Sequence, residues 1–312
     1  MNLEQLASFV EVAETGHFTK AAANLHLAQP SLSRQISTLE KELGATLFTR
    51  ARGHIGLTDA GETLLPTARR MLADAESVRL DMAELAGLRR GRIRLGATPT
   101  LCVSLLAEAI ARFHAEHPGI DLVLMEKGSR ELIGALGAGQ LDLALVTRTL
   151  DAGTLGPRLR TRGLLAEDLV VVCATSSVLI EGDAITLADV AALPQVAFHH
   201  GYDLRAATSA AFEAAGLEPA IVVEGAEMDA ALRFVERGIG VAIVPAMVLV
   251  DRPGLRSAQL LAPSLSRTVS LAARADVRAT AAASAMEDKI LTTARALSSE
   301  DAGLADYVRL VR

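Results

Sequence analysis

Up to about Leu88 the apolar residues recur at steps of three and four, and beyond it they collect into short unbroken runs. The first pattern predicts helices. Leu3, Leu6, Phe9, Val10 and Ala13 mark an opening helix, and Phe18 to Leu43, FTKAAANLHLAQPSLSRQISTLEKEL, predicts two short helices joined by a tight turn. In the first of these Thr19 is the expected N-cap and Ala21, Ala22, Ala23 and Leu25 make a face small enough for close packing. In the second, Pro30 suits the first turn, and Leu32, Ile36, Leu39 and Leu43 form one buried stripe. After it, GATLFTRARGHIGLT gives two short extended segments around Gly53. Thr58 then caps a long helix in which Leu64, Ala68, Met71, Ala75, Val78, Met82 and Leu85 alternate by four and three. That heptad seam favours contact with a second helix, although a helix packed on its own domain gives the same stripe. Pro66 falls beyond the first turn and is expected to bend the helix near its start.

Past a hinge at GLRRGR, Gly87 to Arg92, the period changes. RIRLGAT, IDLVLME and LDLALVT read as short strands between helices at Leu101 to His117 and Ser129 to Leu136, a βαβαβ start with a largely parallel sheet. LVVVCA, QVAFHH, AIVVEG and GVAIVP continue the scheme with helices near Thr186 to Ala192, Leu204 to Ala215 and Ala226 to Arg237. TVSLAARA and a helix from about Thr280 to Leu297 return to the first set. The fold class is therefore α/β, with two lobes joined by two crossings and a cleft between them, behind an N-terminal all-α unit and a long linker helix. The tail after Ser299 reads equally as a terminal helix or a frayed end.

The polar face of the third helix shows Gln29, Ser31, Ser33, Arg34, Gln35 and Thr38 and no acid. Base edges in the major groove present mixed donors and acceptors that Arg, Gln and Ser pair with, and helix N-termini suit phosphate. Arg50 and Arg52 fall where a wing meets the DNA backbone or minor groove. An ordinary small helical bundle is the bland alternative. The net charge of −6 argues against nucleic acid only until placement is considered. Glu4, Glu11 and Glu14 sit on the first helix and Glu40 and Glu42 at the far end of the third. If the seam dimerises, two reading helices are presented as a pair, and the DNA site is an interrupted two-fold repeat.

Ligands of open α/β sheets bind beyond the carboxyl ends of strands, next to helix starts. That rule selects Thr98, Pro99 and Thr100 after the first strand, Ser129 after the second, Thr147 at the end of the third, and Phe198, His199, His200 and Tyr202 from the second lobe. An anion is favoured there. Thr100 and Ser129 are equally explained as N-caps, and the His pair as solvated loop residues.

Half the chain is apolar, enough for two or three compact units in 312 residues, and no run reaches the roughly 18 apolar residues of a membrane span. MNLEQLASFVEVAE is an amphipathic helix and not an export leader, so a cytoplasmic protein is expected. Cys102 and Cys173 suggest no disulfide framework, and HAEH, with His114 and His117, lacks a third ligand, so neither metal nor cofactor is expected. There is no phosphate loop and no nucleophile elbow.

The run from His17 to Glu62, above all AAANLHLAQPSLSRQI and LFTR, resembles the winged helix-turn-helix signature of the LysR-type transcriptional regulators, and length and element order agree along essentially the whole chain. The resemblance implies a winged helix-turn-helix at 1–58, a linker and dimerisation helix at 59–88, a hinge at 89–91, and an effector-binding domain at 92–312. That domain is similar to type II periplasmic binding proteins, with lobe I at about 92–161 and 267–300 and lobe II at about 162–266. It implies DNA contacts by Gln29, Pro30, Ser33, Arg34 and Arg52, a small-molecule effector between the lobes, a homodimer assembling to a homotetramer, and contact with RNA polymerase. An activator or repressor, not an enzyme, is expected. A transport-type solute-binding protein lacks a reading helix and carries a leader. An enzyme on the same scaffold needs a clustered acid, base or nucleophile that the cleft residues do not supply.

Overall fold

A computed structural model of the chain describes residues 1–51, 54–85, 91–147, 158–250, 252–299, 304 and 306–311. Helix α1 (Leu3–Thr15) starts at a capping box: the Asn2 side chain accepts the Gln5 N–H while the Gln5 side chain accepts the Asn2 N–H. Helix α2 (Phe18–Asn24) begins two residues earlier than expected. Its N-cap position is His17, which makes no side-chain cap, and Thr19 lies inside the helix. Helix α3 (Gln29–Leu43) has Pro30 in its first turn and ends at Gly44, whose φ of 67° is left-handed backbone suited to glycine. Leu32, Ile36 and Leu39 pack against Leu6, Phe9, Val12, Ala21 and Ala22. Leu43 is exposed, because it is the last helical residue, beyond the other two helices of the core.

Strands β1 (Phe48–Ala51) and β2 (His54–Leu57) form an antiparallel wing that pairs Phe48 with Leu57 and Arg50 with Ile55. Phe48 fixes it to the helices through ring contacts with Phe9 at 5.4 Å and Phe18 at 5.9 Å. The linker helix α4 (Asp59–Leu85) is capped by Thr58, whose hydroxyl accepts the Gly61 N–H, and it runs on through Pro66. Gly61 is required here. A Cβ at this position would lie 2.3 Å from the Leu47 carbonyl oxygen.

The heptad stripe of α4 divides between two environments. Ala68 is fully buried and Leu64 half-buried in the winged-helix core, beside Leu65 and Leu72, so these two positions face their own chain and not a second helix. Periodicity reports a buried face without saying what buries it. Ala75 is half-buried, whereas Met71, Val78 at 58% and Met82 at 57% are exposed.

Beyond the linker, β3 (Gly91–Ala97) pairs in parallel with β4 (Ile120–Glu126) and β5 (Leu143–Val146). The helix expected from Leu101 is two, α5 (Pro99–Cys102) and α6 (Leu105–Glu116), broken where the Ser104 hydroxyl turns back to the Thr100 carbonyl at 2.7 Å. Helix α7 (Ser129–Gly137) connects β4 to β5. Strand β6 (Leu159–Ala174) then runs through both lobes. Its first part pairs with the later strand β12 (Ser266–Arg274), and from Leu169 it pairs instead with β10 (Ala242–Pro245) and β11 (Leu255–Leu261). Arg162 still pairs within the first lobe, so the strand changes lobes near Asp168.

In the second lobe, β7 (Ala184–Thr186) leads into α8 (Leu187–Ala192), and β8 (Gln195–Phe198) into α9 (Asp203–Ala214). Next come β9 (Ile221–Ala226), parallel to β8, and α10 (Met228–Glu236). Helix α11 (Ala281–Leu297), capped by Thr280, packs back on the first lobe through Met286 and Ile290. The tail is neither helix nor frayed end where described: β13 (Val308–Leu310) pairs antiparallel with β6 over Leu165 to Glu167. One apolar cluster, including Ile93, Phe113, Val171 and Leu232, is continuous across both lobes.

Candidate DNA-reading surface and effector cleft

Helix α3 buries one stripe and turns the other outward. Gln29, Pro30, Ser31, Arg34 and Thr38 are exposed and Ser33 is half-buried, with the Gln29 amide donating to the Ser33 hydroxyl at 3.4 Å. Gln35 is different: its side-chain oxygen accepts the Ser8 hydroxyl, which ties α3 to α1. Arg34 makes no ion pair or hydrogen bond among the described residues. Four of the five carboxylates on α1 and α3 are engaged elsewhere. Glu11 accepts Asn24, Glu14 pairs with Arg69 at 2.9 Å, Glu40 accepts the Leu47 N–H, and Glu42 meets the chain's amino terminus. Net acidity thus leaves the first half of α3 free of opposing charge. Arg50 belongs to the wing strand; Arg52 and hinge residues 89 and 90 lie outside the described residues.

The cleft between the lobes gathers Thr98, Pro99, Thr100, Thr147 and Tyr202, as the strand-end rule expects. Ser129 adjoins it, fully buried at the start of α7, with its hydroxyl accepting the Thr147 N–H at 3.1 Å. Phe198, His199 and His200 do not line this space. Phe198 is a core residue stacked on Tyr202. The His199 Nδ1 accepts the Gly201 N–H and shapes the loop, and His200 points outward to Glu224 at 3.2 Å. A strand-end loop places its first residue in the core and its next two toward solvent before Tyr202 turns inward.

Sequence reasoning missed Gly128, Asp203, Leu204 and Arg267, which complete the walls. Asp203 opens α9 on the second lobe and reaches across, its Oδ2 accepting the Ser129 N–H at 3.2 Å and the Thr147 hydroxyl at 3.3 Å. A carboxylate of the protein itself therefore sits at the start of α7, where an anion was expected. Arg267 enters from β12. Its Nε donates to Glu167 at 2.8 Å and its Nη1 to the Thr100 hydroxyl at 2.6 Å, while Nη2 is buried without a hydrogen bond among the described residues. Glu167 is fully buried and also accepts the Met247 N–H at 2.7 Å. An Asp at a helix start and an Arg in a strand are common enough that neither announced itself. The free space is about 20 Å³, room for about one water.

A larger hollow of about 500 Å³ lies between α4 and the first lobe, and most of its charged wall residues are held in ion pairs. Arg94 pairs with Asp142 and Arg274 with Asp74, both at 2.6 Å. The smaller cleft holds an unsatisfied guanidinium nitrogen, Arg267 Nη2. Neither cysteine is a reactive thiolate: burial, with Glu126 nearby, pushes the Cys102 thiol up to about 12, and burial raises that of Cys173. His117 packs on the Phe113 ring at 4.7 Å. Among the described residues no helix is long and apolar enough to cross a membrane.

Comparison with known proteins identifies the domain that carries each surface. Residues 3–62 match the family described as bacterial regulatory helix-turn-helix protein, lysR family, and residues 86–295 match the LysR substrate binding domain. The chain is 30% identical to the HTH-type transcriptional regulator YybE of Bacillus subtilis, over 87% of this chain and 92% of that one. It is 32% identical to a probable nitrogen assimilation transcriptional activator of Synechococcus elongatus, over 87% and 88%. Among solved structures, a full-length OxyR variant from Pseudomonas aeruginosa superposes with a TM-score of 0.69 at 25% identity, covering 95% of each chain. Full-length CbnR complexed with its target DNA gives 0.66 at 26% identity, covering 94% of this chain and all of that one. These relatives are regulators and not enzymes, and two family models together span most of the sequence. The chain belongs to the LysR family of transcriptional regulators, with a helix-turn-helix DNA-binding domain followed by an effector-binding domain.

Proposed function

We propose that α3 reads the major groove of a promoter through Gln29, Pro30, Ser31, Ser33, Arg34 and Thr38, with Arg50 and Arg52 on the wing, under control of a small molecule bound in the interlobe cleft. The observation that carries the reading is Arg34, exposed and without an intrachain partner among the described residues, on a face from which carboxylates have been drawn away. Met71, Val78 and Met82, with Ala75 beside them and with Leu85 next in the heptad, whose side chain lies outside those described, form the seam on which two chains pair, so the DNA site is an interrupted two-fold repeat. Two such dimers assemble to a homotetramer in the cytoplasm and, on DNA, contact RNA polymerase. The effector acts by binding one arrangement of lobes and subunits better than another, since only differential affinity shifts an equilibrium.

Footprinting on the DNA upstream of the protein's own gene, at fixed salt, tests this. Wild type is expected to give an extended two-fold-related footprint. Arg34→Ala is expected to lose about 1–3 kcal/mol of sequence-specific affinity while its sedimentation behaviour stays that of the wild type. Unchanged specificity in Arg34→Ala would remove α3 as the reading element.

A further inference from the structure

We propose that the effector is an α-amino acid, held by its ammonium on Asp203 and its carboxylate on Arg267; the inference rests on the interlobe cleft being the effector site. Arg267 has one nitrogen left without a partner. Its Nε and Nη1 are committed to Glu167 and Thr100, and the buried Nη2 has no acceptor among the described residues. A guanidinium has no acceptor of its own, so the group it lacks is an acceptor, best a charged one. Asp203, on the opposite lobe and lining the same space, lacks the converse. Both of its hydrogen bonds fall on Oδ2 and are long, at 3.2 and 3.3 Å, while Oδ1 accepts none among the described residues.

Charge decides between ligand classes. Arg267 is already neutralised by the buried Glu167, so Asp203 leaves the walls of the cleft with an excess negative charge. A simple carboxylate would satisfy Arg267 Nη2 but bring a further negative charge beside Asp203. A simple amine would satisfy Asp203 and leave Nη2 bare. A molecule with both groups on one carbon satisfies both, and it replaces the anion expected from helix geometry by a ligand of no net charge. With about 20 Å³ free, the lobes must part to admit it. Parting them breaks the Asp203 bonds to Ser129 and Thr147, and the ligand's ammonium then takes up the released carboxylate.

Calorimetric titration of the full-length protein tests the inference. The proteinogenic L-amino acids are titrated one by one, each beside its 2-hydroxy acid, which lacks the ammonium, and its primary amine, which lacks the carboxylate. At least one amino acid is expected to bind, with both analogues weaker by about tenfold or more, because a site built to pair a polar group rejects the analogue without it. Asp203→Asn, close in shape, is expected to weaken the amino acid and to erase its advantage over the hydroxy acid, with an unchanged circular dichroism spectrum. Hydroxy acids that bind wild type as well as amino acids do, and are lost in Thr100→Val, would overturn the amino acid while keeping the cleft. Amino acid binding indifferent to both Asp203→Asn and Thr100→Val would overturn the cleft as well. Absence of binding by every amino acid also overturns the proposal.

Discussion

Glu167 is the residue whose loss should tell most about how the cleft is held. It is fully buried, accepts Arg267 Nε at 2.8 Å through one oxygen and the Met247 N–H at 2.7 Å through the other, and lies one residue before β6 changes lobes. Glu167→Leu leaves a guanidinium only 11% exposed without its counter-charge. Breaking a buried pair from one side costs about 3–5 kcal/mol. For a unit of this size that is about 6–20 °C in the melting of the effector domain. Glu167→Gln keeps an acceptor for Met247 but turns an amide NH2 toward the Arg267 Nε–H and leaves the guanidinium without its counter-charge, so it too should cost about 3–5 kcal/mol. The double variant Glu167→Leu with Arg267→Leu removes both charges. It should recover much of the loss and retain about 1–3 kcal/mol for the unpaired Met247 N–H. Calorimetric melts of wild type, Glu167→Leu, Arg267→Leu and the double variant give the cycle. A double variant no more stable than Glu167→Leu alone would show that Arg267 is not held by Glu167, and the positioning of its free Nη2 would need another cause.

Gly61→Ala places a Cβ 2.3 Å from the Leu47 carbonyl oxygen, which cannot yield as a side chain would, so the winged helix should lose about 1–3 kcal/mol and DNA affinity fall with it. A melting profile with an unaltered first transition would contradict this. Val78→Asp with Met82→Asp puts charge on the two most exposed seam residues. Dimerisation should weaken by about 3–5 kcal/mol, over about a hundredfold in Kd, and a dimer that survives in sedimentation at micromolar concentration would place the seam elsewhere. On the acid side, the Arg160 guanidinium holds the Glu287 carboxyl below its ordinary value of 4.5. A carboxyl depressed in the folded state contributes stability in full above its ordinary value, and that stability is lost as pH falls through the folded value. Wild type should therefore lose more stability than Glu287→Gln between about pH 5 and 3; parallel acid limbs would mean the pair contributes nothing.

What was legible in the sequence is what local periodicity encodes. The stripe of Leu32, Ile36 and Leu39 placed α3 and therefore its outward face, and unbroken runs such as LALV and LVVVCA placed strands. The first ten of the 16 residues of β6, LRTRGLLAED, alternate poorly and carry charge on exposed positions, so only its last part, LVVVCA, read as a strand. β13 is three residues long and is held by pairing with β6, a contact no local window contains. The heptad of α4 was visible but not its division, because Ala68 meets the winged-helix core through residues some sixty positions earlier. Asp203 and Arg267 were hidden for the same reason. Their meaning comes from Ser129, Thr147, Thr100 and Glu167, which lie 56 to 167 positions away in sequence.

Those distant pairings give the fold a way to carry a signal. Strand β12 holds Arg267 at the cleft and, seven residues on, Arg274, which grips Asp74 of the linker helix at 2.6 Å. At about 3.3 Å per residue this is a rigid span of about 23 Å. Its neighbour β6 carries Glu167, joined to Arg267 on one side and, through Met247, to the second lobe on the other. A ligand that engages Arg267 Nη2 and draws Asp203 from Ser129 therefore acts on the strand pair that crosses between the lobes. The same strand ends on α4, whose exposed Val78 and Met82 lie one to two turns beyond Asp74. Spatial continuity alone does not make coupling; two arrangements with different ligand affinity do. On the proposed binding mode the Asp203 latch supplies the difference, closed on Ser129 and Thr147 in one arrangement and on the ligand in the other.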